Sequence, residues 1–139
     1  MIFSKGTGYA LRALIFLAEH RDEGPILAGS IADEAGIPKP TVSKILNQLA
    51  TIRIVRSVTG PKGGFWIEKD PNKIKLMDIF QVFEPGRSMR ECLLGHETCP
   101  GEKYCKLHKE WLDVQKHIDK FLLGTTVADI SPMETGLQP

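Results

Sequence analysis

Ser30-Ile31-Ala32-Asp33-Glu34-Ala35-Gly36-Ile37-Pro38-Lys39-Pro40-Thr41-Val42-Ser43-Lys44-Ile45-Leu46 is the stretch that decides the fold. Two helices that cross at a steep angle need a small residue at the crossing, and Ala32 supplies it. Gly36, four positions on, accepts the left-handed backbone that ends the first helix, and Ile37 fills the angle between the two. Pro38 and Pro40 suit the opening turn of the second helix, where the backbone N–H groups have no partner within the helix. Val42, Ile45, Leu46 and Leu49 recur at helical spacing and turn inward, so Lys39, Thr41, Ser43, Lys44, Asn47 and Gln48 face outward. Those outward residues are donors and acceptors suited to phosphates and base edges, and the N-terminal end of such a helix enters a major groove.

On either side of this motif the pattern extends it. Ser4 caps a first helix expected to run to about His20, with Tyr9, Ala10, Ala13, Leu14, Leu17 and Ala18 on its packing face. After the second helix of the motif, Ile54–Val58 and Phe65–Ile67 read as two strands around Thr59-Gly60-Pro61-Lys62-Gly63-Gly64. Thr59 and Lys62 stand at the tip of this hairpin, and its glycines are expected to let the backbone approach a sugar-phosphate chain. A short helix containing Ile74, Met77, Ile79, Phe80 and Phe83 follows, stopped by Glu84-Pro85-Gly86. The order helix, helix, turn, helix, hairpin is that of a winged helix-turn-helix. The fold class is mainly α, with a small β-hairpin wing and a long C-terminal dimerisation helix.

The charges support a nucleic-acid partner. The net charge is only +1, yet from Ala35 to Ile67 no Asp or Glu occurs, while Lys39, Lys44, Arg53, Arg56 and Lys62 do. An acid-free block of this kind is a candidate phosphate-facing surface. A solvated basic face, or a winged helix used as a protein–protein module, is the alternative on charge alone. Apolar residues at 42% and charged ones at 25% allow a packed core without disulfides. No apolar run approaches the roughly 20 residues that span a bilayer. The run Ala10–Ala18 is short, contains Arg12 and has no cleavage site after it, so a cytoplasmic chain without a membrane partner is expected.

Three cysteines in a reducing compartment point to ligand or redox chemistry rather than a structural disulfide. Cys92, six residues, Cys99, five residues and Cys105 lie on one stretch that also holds His96 and His108. Thiolates gathered on a short loop suit iron–sulfur or zinc. The spacing alone also leaves open a metal-free thiol sensor and ordinary buried cysteines. A helix is expected from about Lys103 to Leu123. In it Leu107, Trp111, Val114, Ile118 and Phe121 alternate by four and three, a heptad seam suited to a second copy, with Trp111 as its anchor. The alternative is an amphipathic helix packed on its own domain. The chain thus divides into 1–83, a winged helix-turn-helix; 84–102, a loop; 103–123, a dimerisation helix; and 124–139, a loosely held tail. No P-loop, H-E-x-x-H or other catalytic constellation occurs, so no enzyme is expected.

Taken in order, Ser4–Leu14, the wing Ser57–Phe65 and the three cysteines resemble the IscR/NsrR/CymR-type family of bacterial winged-helix transcription regulators, over residues 1–123. The resemblance is to its iron–sulfur branch, and most to the IscR type. It implies a [2Fe–2S] cluster held by Cys92, Cys99, Cys105 and His108. A [4Fe–4S] cluster with an exogenous fourth ligand, or zinc, stands beside it as the alternative, as does a cluster-free regulator of the CymR type. His96 is the spare ligand. In some nitric-oxide-sensing members the fourth ligand is a carboxylate early in the first helix, where this chain has Gly8. The resemblance further implies a homodimer on double-stranded DNA at a palindromic operator. Its affinity would be set by iron–sulfur status, redox state or nitric oxide through reordering of residues 88–106. Three departures stand out. Thr59 replaces a common arginine and Lys62 a common glycine; the recognition helix lacks the family's aromatic and glutamate; and the Cys92–Cys99 gap is one residue longer than in some members.

Overall fold

The computed structural model describes residues 3–86 and 91–130. Five helices and one hairpin follow in the order α1 (Lys5–Glu19), α2 (Ala28–Ala35), α3 (Lys39–Thr51), β1 (Val55–Val58), β2 (Gly64–Ile67), α4 (Leu76–Phe83) and α5 (His108–Gly124). Single 3₁₀ turns at Arg21–Glu23, Pro71–Lys73 and Val127–Ile130 complete them. Among the described residues no helix is long and apolar enough to cross a membrane.

α1 forms where Ser4, in an extended conformation, accepts a hydrogen bond from the Thr7 N–H and so satisfies one of the free donors of the first turn. Its inner face is built of Ala10, Ala13, Leu14 and Leu17, all at or near zero exposure. The two alanines let neighbouring helices come close. Ile31 and Ala32 of α2, Val42, Leu46 and Leu49 of α3, and Ile79 of α4 close around them. Each large aliphatic side chain removed from water here contributes roughly 1.5–3 kcal/mol.

The hairpin pairs Val55 with Ile67 and Val58 with Gly64 in an antiparallel register. A third segment, which the sequence pattern does not announce, lies against it. The Ile26 N–H donates to Phe65 O at 2.9 Å and the Phe65 N–H returns a bond to Ile26 O at 2.8 Å. Gly64, at φ +148°, makes this approach possible: a Cβ there would fall 2.3 Å from the Ile26 carbonyl oxygen. Gly63 is equally confined, its would-be Cβ 2.3 Å from Val58 O. Gly63 therefore serves the closure of the hairpin, and Gly64 the close approach of Ile26 to it.

Three other expectations change. Ile74 lies outside α4, in an extended segment at φ −93°, ψ 105°. α5 starts at His108 rather than near Lys103, because Gly101 at φ +90° sets up a turn in which the Tyr104 N–H goes to Gly101 O. The His108 N–H then goes to Cys105 O, and the first helical bond is Trp111 N–H to Leu107 O at 2.8 Å. Residues 125–130 are not a loose tail. The Leu76 N–H donates to Thr125 O at 3.0 Å and the Val127 N–H to Ile74 O at 2.9 Å, which seats Val127 in the main core at 1% exposure. The remainder of the expected tail, 131–139, lies outside the described residues.

A buried carboxylate ties the two ends of this domain together. Glu84, just past α4 and 4% exposed, accepts from the Thr7 hydroxyl at 2.8 Å and from the Ser4 backbone N–H. The carboxylate sits at the N-terminal end of α1, where the helix dipole favours negative charge.

Two variants test this packing by urea denaturation. Gly64→Ala forces the Ile26 segment off the hairpin and lowers stability by about 1–3 kcal/mol. Thr7→Val keeps the shape but removes one donor from the buried Glu84 carboxylate, at a cost of about 1–3 kcal/mol. Wild-type midpoints in both would contradict the packing described.

Candidate functional site

The turn between α2 and α3 is fixed by backbone chemistry. Gly36 adopts φ 67°, ψ 38°, and its N–H and that of Ile37 both return to Ala32 O. Ile37 is buried between the helices. The Arg12 guanidinium, 5.0 Å above the Tyr9 ring, donates to Gly36 O at 3.1 Å and pins the turn to α1. Pro38 opens α3, its carbonyl accepting from the Thr41 and Val42 N–H groups.

With Val42, Ile45, Leu46 and Leu49 buried, α3 leaves Lys39, Ser43, Lys44 and Asn47 exposed, with Thr41 and Gln48 half-buried. Thr59 and Lys62 are exposed at the wing tip. The five cations of the acid-free block are not equivalent. Lys39 lies 3.8 Å from Asp33, an exposed and therefore weak pair, and Arg56 donates to Glu68 at 2.7 Å. Asp33 and Glu68 flank the block in sequence, which is why counting charges inside it overstates the free positive charge. Lys44 and Lys62 form no ion pair among the described residues.

The cysteine loop reaches α5 from the other side. All three thiols are free, Cys92 and Cys105 half-buried and Cys99 exposed. Cys99 Sγ lies 3.1 Å from His108 Nδ1 at the first turn of α5. The Cys92 thiol is held below its ordinary pKa, most by the His96 backbone N–H, then by that of Leu94, with the Cys99 thiol and the Gly95 N–H adding to them. His96 thus contributes its backbone, while its ring is exposed. Cys99 and His108 are brought into contact, with Cys92 beside Cys99. The Cys105 carbonyl accepts the His108 N–H at 3.2 Å, and no side-chain contact joins Cys105 to them among the described residues. Among the described residues no group of three or more His, Cys, Asp or Glu side chains is arranged so that it could hold a metal ion. Gly8 is in α1 with open space beside it.

The seam residues of α5 divide. Leu107, Val114 and Phe121, seven apart, are 54%, 45% and 53% exposed. Ile118 packs against the Leu76–Phe80–Leu122 cluster of its own chain. Trp111 is half-buried, and its Nε1–H donates to Glu91 O at 2.8 Å. Beside Phe121 lies an apolar groove of about 410 Å³, lined by Phe3, Leu11, Leu76, Phe80 and Leu122 among others. Sequence reading passed over Gln115. It is 4% exposed and donates to the same Glu91 oxygen at 2.9 Å. A polar residue between two seam positions reads as solvent-facing, and nothing local signals a distant carbonyl.

Comparison with known proteins places this architecture. A family model, Rrf2, described as an iron-dependent transcriptional regulator, matches residues 3–132. A protein of Aquifex aeolicus (strain VF5) that carries an HTH-type transcriptional regulator name is 36% identical over 136 residues, covering 96% of this chain and 94% of its own. The HTH-type transcriptional regulator IscR of Serratia proteamaculans (strain 568) is 31% identical over 127 residues, covering 91% and 76%. Among solved structures, CymR (YrzC), the global cysteine regulator of B. subtilis, has a TM-score of 0.77 at 26% identity over 93% of this chain and 95% of its own. T. potens IscR has a TM-score of 0.72 at 27% identity over 96% and 92%. These relatives are named as regulators rather than enzymes, and the winged-helix reading holds. The chain belongs to the Rrf2 family of transcriptional regulators.

Proposed function

We propose that this regulator acts as a homodimer on double-stranded DNA and that its affinity is set by an iron–sulfur cluster at Cys92, Cys99, Cys105 and His108. The observation that carries the cluster reading is the contact of Cys99 with His108 at the start of α5. The donor types suit the group: three soft thiols and one imidazole within one loop and the helix turn that follows it. The family's description as iron-dependent supports it as well. A [2Fe–2S] cluster suits three thiolates and one histidine; a bound cluster supplies one-electron redox chemistry and reactivity toward oxygen or nitric oxide.

The chain's own residues do the rest. Lys39, Thr41, Ser43, Lys44, Asn47 and Gln48 of α3 face the major groove, and Thr59 and Lys62 face the adjoining backbone. Leu107, Val114 and Phe121 meet a second copy, with the groove beside Phe121 receiving apolar side chains. A two-fold pair of recognition helices calls for a palindromic operator. Drawing Cys92, Cys99, Cys105 and His108 to one centre fastens the loop to α5, and so changes how the dimer helix holds the two DNA-binding domains.

Lys44→Ala or Lys62→Ala weakens binding to a promoter fragment across sequences and makes the log–log salt dependence shallower by about one unit each. An unchanged slope in both would remove this face from the interface. Protein purified without oxygen is red-brown and carries iron and sulfide, and Cys92→Ala or Cys99→Ala loses both. Colourless wild-type protein with stoichiometric zinc would overturn the cluster and favour the zinc-stabilised, CymR-like reading.

A further inference from the structure

The Glu91 carbonyl, one residue before Cys92, accepts two side-chain hydrogen bonds from α5: Trp111 Nε1–H at 2.8 Å and Gln115 Nε2–H at 2.9 Å. Both lone pairs of that oxygen are thereby used. His108, Trp111 and Gln115 are spaced three and four apart, so they share one stripe of the helix. The same stripe continues through Ile118 and Leu122, which pack on the cluster formed with α4. Its apolar half holds the helix to the domain, and its polar half faces the loop. Gln115 is 4% exposed, and a buried amide carries a large desolvation cost unless it is hydrogen-bonded. A leucine would fill this position without that demand. We infer that Trp111 and Gln115 are positioning residues: by gripping the Glu91 carbonyl they fix the start of the cysteine loop on α5, so that Cys92 is presented to Cys99 and His108.

The grip gives Trp111 a role distinct from the intersubunit anchor that its place in the heptad suggests. It also sets the register of the loop. Cys92 follows the gripped carbonyl directly, and its own carbonyl accepts the Gly95 N–H at 2.9 Å, which closes the next turn of chain. Losing the grip loosens that turn on α5, while Cys99 and the Cys105 carbonyl still hold the later part of the loop to His108. The loaded-state consequence rests on the cluster reading above; the metal-free consequence does not.

The test uses the full chain carrying Gln115→Leu, which keeps the volume and removes the donor, and Trp111→Phe, which keeps a ring and removes the N–H. In metal-free protein, amide hydrogen exchange across residues 91–99 accelerates roughly two- to tenfold for each bond removed, while exchange in α1 and α4 is unchanged. In protein loaded with iron and sulfide, loss of the visible circular dichroism to EDTA is about 10- to 100-fold faster, as for removal of other groups that orient metal ligands. Wild-type exchange across 91–99 in both variants would overturn the proposal. If the wild-type chain takes up no iron and sulfide, the cluster reading fails, and the exchange of the metal-free chain still decides this one. Acceleration spread equally over α1 and α4 would also overturn it, because the two residues would then act only on global stability. Trp111→Phe keeps the test decisive should Gln115→Leu fail to fold.

Discussion

Ala10, Ala13 and Leu14 have no solvent exposure, because α1 is packed along its length by α2, α3, α4 and the segment around Val127. That close packing constrains everything else. At its middle, α1 holds the helix-turn-helix through Arg12 and the Gly36 carbonyl, which sets the angle at which α3 is presented. At its start, Ser4 and Thr7 grip the buried Glu84, where the chain leaves the DNA-binding domain toward the cysteine loop. One rigid helix thus touches both the recognition turn and the point of departure of the loop. A packed core is bistable rather than freely deformable, so a shift at one end of such a helix is not absorbed locally.

α5 plays the corresponding part on the other side of the loop. Its N-terminal turn carries His108 against Cys99, its next two turns carry Trp111 and Gln115 against the Glu91 carbonyl, and its last turns carry Ile118 and Leu122 into the domain. The adjacent stripe of Leu107, Val114 and Phe121 is left exposed. In the proposed scheme the two stripes have separate tasks, one sensing the loop and one meeting a second copy. The helix would transmit between them without any change in its own hydrogen bonding.

Much of this was legible because the chemistry is local. Gly36 followed by Ile37 can end a helix and turn the chain in few other ways, and Ser4 announces its own helix within a turn. The parts that were hidden depend on distant partners. Ile26 meets Phe65 beside the hairpin, and Thr125–Val127 pair with Ile74–Leu76 about fifty residues away, with Val127 the one deeply buried apolar side chain of the later segment. Glu102, Lys103 and Lys106 are good helix formers, yet Gly101 takes the chain through turns instead, so propensity placed the start of α5 too early. Type and spacing pointed to the cysteines as candidate ligands. How Cys92 is held was not, since neither Gln115 nor the Glu91 carbonyl carries a motif.

The central claim is that the state of the cysteine loop is linked to DNA affinity. It is tested most directly by measuring equilibrium binding of one chain, loaded with iron and sulfide and then stripped, to the same promoter fragment at one salt concentration. Linkage between two sites is typically worth about 5- to 150-fold in affinity. The account predicts a ratio in that range between the two states, reduced toward unity by Cys92→Ala. Equal affinities of loaded and stripped protein, with the fragment specifically bound in both, would contradict it.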